Sequence, residues 1–137
     1  MEEMTIRPRF SETDALGHIS NTTLPVWFEA ARTCIFERVH PALTFDDWPL
    51  IVARFEVDLK SQLFVGSDVT VRTGVEKIGN RSLTVYQEAW QKGVLAARGR
   101  TVFVYFDYGE QRSRRIPDAV RERLSDLLVK PGQGEST

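Results

Sequence analysis

The stretch from Thr22 to His40 constrains the fold more than any other part of the chain. Thr22 or Asn21 can cap a helix there, because a short side-chain oxygen accepts a bond from a free N–H of the first turn. Pro25 falls within that first turn, where its missing N–H does least harm. Pro41 disfavours helical geometry in the residue before it, so the spacing predicts one helix running to about His40. Glu29, Arg32, Thr33 and Glu37 fall on one narrow stripe, with Glu29 and Arg32 spaced as an i,i+3 pair. Leu24, Trp27, Phe28, Ala31, Ile35 and Val39 cover most of the rest. A helix apolar over most of its girth has to be wrapped on several sides by another element.

That element is written in the period-two segments around it. Thr5 to Phe10 reads as a first strand with Ile6 and Phe10 inward, and Pro8 marks an edge or a bulge because it cannot donate to a ladder. From Ile51 the period changes: Ile51, Ala53, Phe55, Val57 and Leu59 alternate with Val52, Arg54, Glu56, Asp58 and Lys60. Phe64 to Asp68 is a turn, and Val69, Val71, Thr73 and Val75 then alternate with Arg72 and Glu76 outside. Gly79-Asn80-Arg81 is hairpin chemistry, Ser82 to Trp90 another strand, Lys92-Gly93 another turn. Val94 to Tyr108 is a long last strand, apolar on both faces over Val102 to Phe106 and therefore central. Pro117 opens a short C-terminal helix with Val120, Leu124 and Leu127 at helical spacing. Residues 1–130 form a single domain, with 131–137 a frayed, disordered tail.

The predicted class is α+β, a curved antiparallel sheet wrapped around one long central helix with a short helix at the C-terminal end. Such a sheet leaves a long edge and a broad apolar face, which predicts dimerisation. A formal net charge of −1 offers no basic field for nucleic acid. The single cysteine, Cys34, excludes an internal disulfide and reads as a small buried hydrophobe. His18 and His40 are the only histidines and no cysteine cluster accompanies them, so no metal site is expected. There is no charged-then-apolar leader, and no apolar run approaches the roughly 18 residues of a membrane-crossing helix. The expectation is a soluble, cytoplasmic protein with no membrane partner.

The chemistry concentrates before the helix. Asp14 stands in a loop made tight by Gly17, a few residues ahead of a helix start whose free N–H groups and positive dipole end favour an oxyanion. An acyl carbonyl placed there has its developing charge stabilised, with Asp14 as nucleophile or as general base on a water. The leaving group decides the substrate. A thiol has a pKa near 8.5, so its thiolate departs without a strong general acid, whereas an amide or alkyl ester calls for one. A thioester suits one carboxylate and one helix terminus. Taken alone, an Asp in such a loop is most often a turn residue.

The run Arg9-Phe10-Ser11-Glu12-Thr13-Asp14-Ala15-Leu16-Gly17-His18-Ile19-Ser20-Asn21, followed by Trp27-Phe28-Glu29-Ala30-Ala31-Arg32, resembles the signature of the 4-hydroxybenzoyl-CoA thioesterase family of hotdog-fold enzymes. Val57 to Lys60, Val65 to Val71 and Lys77 to Ser82 resemble it too, so the likeness runs from about Thr5 to Phe106. It implies a hotdog fold, a homodimer or tetramer of dimers, and active sites at subunit interfaces. It implies hydrolysis of an acyl-CoA to free acid and CoA, with no cofactor and no metal. By the same resemblance, Asp14 is the catalytic aspartate and the Asn21 backbone N–H polarises the thioester carbonyl. His18 and Gly17 belong to the same motif, His18 with the catalytic residues and Gly17 with those that bind the substrate, and Lys77, Arg81 and Ser82 lie where related enzymes meet the CoA phosphates and pantetheine. Ser20 and Leu24 depart from the Asn and Tyr of many members, which bears on the acyl pocket. A dehydratase of this fold relies on a histidine in a different motif that is not found. The alternative is a non-catalytic acyl-CoA-binding domain on the same fold.

Overall fold

The computed structural model describes residues 1–129; the tail expected at 131–137 lies outside them. The elements in chain order are β1 (Glu2–Ile6), α1 (Thr23–Ala31), α2 (Thr33–Val39), β2 (Leu50–Leu59), β3 (Val69–Ile78), β4 (Ser82–Gln91), β5 (Val94–Asp107), β6 (Arg112–Ser113) and α3 (Asp118–Leu124). They form one antiparallel sheet in the order β1-β3-β4-β5-β2, with β6 paired to the end of β5. The sheet covers the two helices, and the layout is the expected α+β one.

Residues paired across neighbouring strands share a face, so the register sorts the side chains. Val71, Thr73 and Val75 face the helices, with Ala89, Gln87 and Val85 opposite them on β4 and Ala97, Gly99 and Thr101 on β5. Around α1, Leu24, Trp27, Phe28 and Ala31 pack with Val69, Val71, Ala89 and Ala97. Around α2, Ile35 and Val39 pack with Val75, Val85 and Phe103. The α3 residues Val120 and Leu124, with Leu127 beyond, close that second cluster as their spacing predicts. Phe28 is fully buried because Gly99 makes room for it: a Cβ on Gly99 would stand 2.9 Å from the Phe28 ring.

Five expectations need correction. The first strand ends at Ile6, because buried Pro8 has no N–H to continue the ladder, and Phe10 sits in a 3-10 turn, 82% exposed. The long helix is two segments, α1 and α2, broken at Arg32. There the Gln87 amide on β4 donates to the Phe28 carbonyl at 2.8 Å, and the Arg32 N–H is shared between the Phe28 and Glu29 carbonyls. A sheet donor competing for a helix carbonyl is a recognised cause of such a break. Arg32 itself leaves the predicted charged stripe and is buried. Thr22 takes the cap position of α1 without a side-chain bond to the helix, since its Oγ1 pairs with Ser20 Oγ at 2.9 Å.

The fifth concerns β2. A bulge between Val52 and Arg54 shifts its phase, so Leu50, Val52 and Phe55 lie opposite the inward Tyr105, Phe103 and Thr101, while Ile51 lies opposite Val104 on the outer face. The strand pairs only with β5, and Ile51, Val52, Phe55 and Leu59 remain exposed.

Candidate active site

The entry to α1 is a loop that satisfies itself. Asp14 N–H donates to the His18 carbonyl at 2.7 Å, and Thr13 pairs with Ile19 as an isolated bridge. Gly17 turns the chain at φ 81°, where a side chain is strained. Asp14 Oδ1 accepts the N–H groups of Leu16 at 2.8 Å and His18 at 3.0 Å, and Oδ2 lies 3.4 Å from His18 Nδ1. The Leu16 N–H is the main reason the Asp14 carboxyl is held below the usual carboxylate range, and the His18 N–H and ring add to it. Asp14 is an anion at neutral pH.

Two polar side chains that local spacing does not single out hold this loop in place. Glu12 accepts the Trp27 indole N–H at 2.8 Å and the Arg9 N–H at 2.8 Å, tying the loop to α1. Burial pushes its carboxyl up, and these bonds outweigh that and leave it below the ordinary value. Gln91, buried at the end of β4, donates to the carbonyls of Phe64 at 2.8 Å and Ser67 at 2.9 Å and accepts the Phe64 N–H at 3.0 Å. It pins the segment between β2 and β3 that faces the loop, to which Ile19 N–H also donates through the Leu63 carbonyl at 2.7 Å. The His18 ring packs edge-on against Phe64, centroids 5.2 Å apart.

A cleft of about 400 Å³ opens between these parts, with Asp14, Ile19, Asn21 and Leu24 on one wall and Leu59 to Leu63 on the other. The Asp14 side chain is 43% exposed into this opening rather than sealed in the loop. Thr23 N–H is taken by the Ser20 carbonyl at 2.9 Å, whereas the Asn21 backbone N–H has no partner among the described residues. Asp14 and Asn21 thus line one cleft.

Lys77, Arg81 and Ser82 are not brought to it. They sit at the opposite end of the sheet, since the cleft adjoins the start of β3 and Lys77 lies eight residues further along, about 26 Å at the rise of a strand. Lys77 is exposed, and Arg81 donates to the Ser113 carbonyl and hydroxyl at 3.2 Å each. Cys34 is half-buried in α2, and burial pushes its thiol up to about 11, which leaves little thiolate at neutral pH. Among the described residues no group of three or more His, Cys, Asp or Glu is placed to hold a metal ion, and no helix is long and apolar enough to cross a membrane.

The family model described as the thioesterase-like superfamily matches residues 8–124. The chain belongs to the thioesterase-like superfamily. Its fold is the hotdog fold of that superfamily. Among solved structures, a predicted thioesterase from Bacillus stearothermophilus is 49% identical with a TM-score of 0.91, over 95% of this chain and 98% of that one. A thioesterase from Thermus thermophilus, complexed with coenzyme A and Zn, is 31% identical with a TM-score of 0.80, over 89% of this chain and 95% of that one. A Bacillus subtilis relative, the uncharacterized protein YsmA, is 28% identical over 78 residues, which span 57% of this chain and 53% of that protein. Membership and these thioesterase neighbours support thioester hydrolysis as the general chemistry of this thioesterase-like chain.

Proposed function

We propose that this protein hydrolyses an acyl-CoA thioester to the free acid and CoA, with Asp14 and the Asn21 N–H as its working parts. The observation that carries the reading is that the anionic Asp14 lines one cleft with Asn21, two residues ahead of α1, whose N–H has no partner among the described residues. The thioester carbonyl oxygen rests on the Asn21 N–H, which stabilises the charge that develops as the carbon becomes tetrahedral. Asp14 either attacks that carbon, giving a mixed anhydride that water then opens, or takes the proton of a water that attacks instead. The C–S bond breaks in both routes and the CoA thiolate departs unaided. Gly17 gives the loop its turn and His18 orients the carboxylate.

The CoA-bound Thermus relative supports a CoA thioester as the substrate class. The exposed β2 edge supports a homodimer. If two copies pair antiparallel through β2, the Leu59 end of one strand meets the Leu50 end of the other. Leu50 pairs with Tyr105 of β5, beside Ser82 and the β3–β4 turn. Such a two-fold axis carries the partner's Lys77, Arg81 and Ser82 to the same end of the combined sheet as Asp14, where they meet the CoA moiety.

CoA release from a panel of acyl-CoAs, followed by thiol titration for wild type and Asp14→Asn, tests the reading. A drop of about 10²–10⁴-fold is expected in the variant. Undiminished activity there overturns it, and so does acyl-CoA binding without turnover on every member, which marks a non-catalytic binding domain.

A further inference from the structure

Arg32, at the break between α1 and α2, is 5% exposed. Its Nη1 donates to Gln87 Oε1 at 3.4 Å and Thr101 Oγ1 at 3.2 Å, both uncharged. Nε is sealed from solvent without a partner, and Nη2 has none among the described residues. The guanidinium lies over the rings of Phe103 at 5.5 Å and Phe55 at 5.9 Å. Ring contacts offset only part of the cost of desolvating a charge that forms no salt bridge. A buried cation with no salt bridge, held against two rings and with a spare donor, is placed to receive an anion.

The same side chain lines a second cavity of about 610 Å³, otherwise walled mainly by apolar groups such as Phe36, Trp48, Leu50 and Val52. Glu29 and Thr33 border it, both exposed to solvent; neither hydrogen-bonds Arg32, and the Glu29 carboxylate favours the charged guanidinium only through space. This cavity and the Asp14 cleft lie on one seam, because both have α1 on one side and β2 on the other. Leu24 and Leu59 mark the Asp14 end; Arg32 and Val52 mark the far end. From Leu24 to Arg32 is eight residues of helix, about 12 Å.

We propose that the seam is the acyl site and that Arg32 selects acyl groups ending in a carboxylate, which Nη2 receives while the apolar walls hold the chain between. The inference rests on the thioesterase reading of the Asp14 cleft and narrows its substrate to acyl-CoAs with a second, distal acid. Arg32 acts here as a specificity residue, remote from the reacting carbon.

The test compares kcat/KM for suberyl-, sebacyl- and dodecanedioyl-CoA with octanoyl-, decanoyl- and lauroyl-CoA in wild type, Arg32→Met and Arg32→Lys. Calorimetry of the corresponding free diacids and monoacids runs beside it and needs no turnover. A charge-assisted bond in a dry site is worth about 10- to 100-fold. That preference for the diacid series is expected in wild type at the best-fitting length, with the ratio collapsing towards one in Arg32→Met and partly kept in Arg32→Lys. The wild-type comparison stands alone should either variant fail to fold. No preference in wild type, or one that persists in Arg32→Met, overturns the inference; thioester turnover without preference leaves the hydrolase reading intact. Arg32-dependent diacid binding without turnover of any thioester does the reverse, supporting the anion pocket and sinking the hydrolase.

Discussion

Asp14 and Arg32 meet opposite electrostatic conditions in one chain. Asp14 is exposed and accepts two N–H bonds; Arg32 is buried with donors to spare. A carboxyl held low stays ionised as pH falls, until the pH passes its depressed value. The acid limb of kcat/KM, which reports the free enzyme, is therefore expected below the ordinary aspartate value of about 3.9. A limb near neutrality would remove Asp14 from the mechanism. Glu12→Ala leaves the Trp27 indole N–H without its acceptor and is expected to cost about 1–3 kcal/mol in a denaturant titration. The Asp14-Gly17-His18 arrangement was legible because its bonds close within five residues. Arg32 was not: Gln87 and Thr101 lie 55 and 69 positions away, and the helical wheel placed Arg32 on the solvent stripe.

At the scale of elements, spacing identified each helix and strand more reliably than its ends or its phase. The alternation in β3 survives in the structure because its neighbours on both sides enforce the register. In β2 a one-residue bulge reverses the alternation, and nothing local in Ile51 to Arg54 announces it. The α1–α2 break likewise comes from a β4 side chain reaching a helix carbonyl, which no helix propensity encodes. Helix and sheet meet most closely at Phe28 and Gly99. Gly99→Ala drives a Cβ into the ring and is expected to cost about 1–3 kcal/mol, seen as a lower Tm. Gly17→Ala is a contrast: no atom lies within 4 Å of the added Cβ, so only the left-handed backbone resists it, at about 1 kcal/mol.

For the whole molecule, the open β2 edge is the controlling feature. Val52, Phe55 and Leu59 are exposed in one chain beside the seam that holds both cavities. Light scattering is expected to give a dimer or a multiple of it, and Ile51→Lys with Val52→Lys, which blunts the edge, is expected to give monomers that have lost turnover. Monomers with full activity would show that each chain is a complete site. By itself the sequence determined the α+β class, a helical stretch covered by a sheet, and the loop-to-helix position of Asp14 and Asn21, because periodicity and short-range hydrogen bonding are properties of neighbouring residues. Only the tertiary structure decided that Lys77, Arg81 and Ser82 stand a sheet's length from Asp14, that β2 is an edge, and that Arg32 is buried against the uncharged Gln87 and Thr101. Those depend on which distant segments pair and in what register, and burial is a property of the assembled fold.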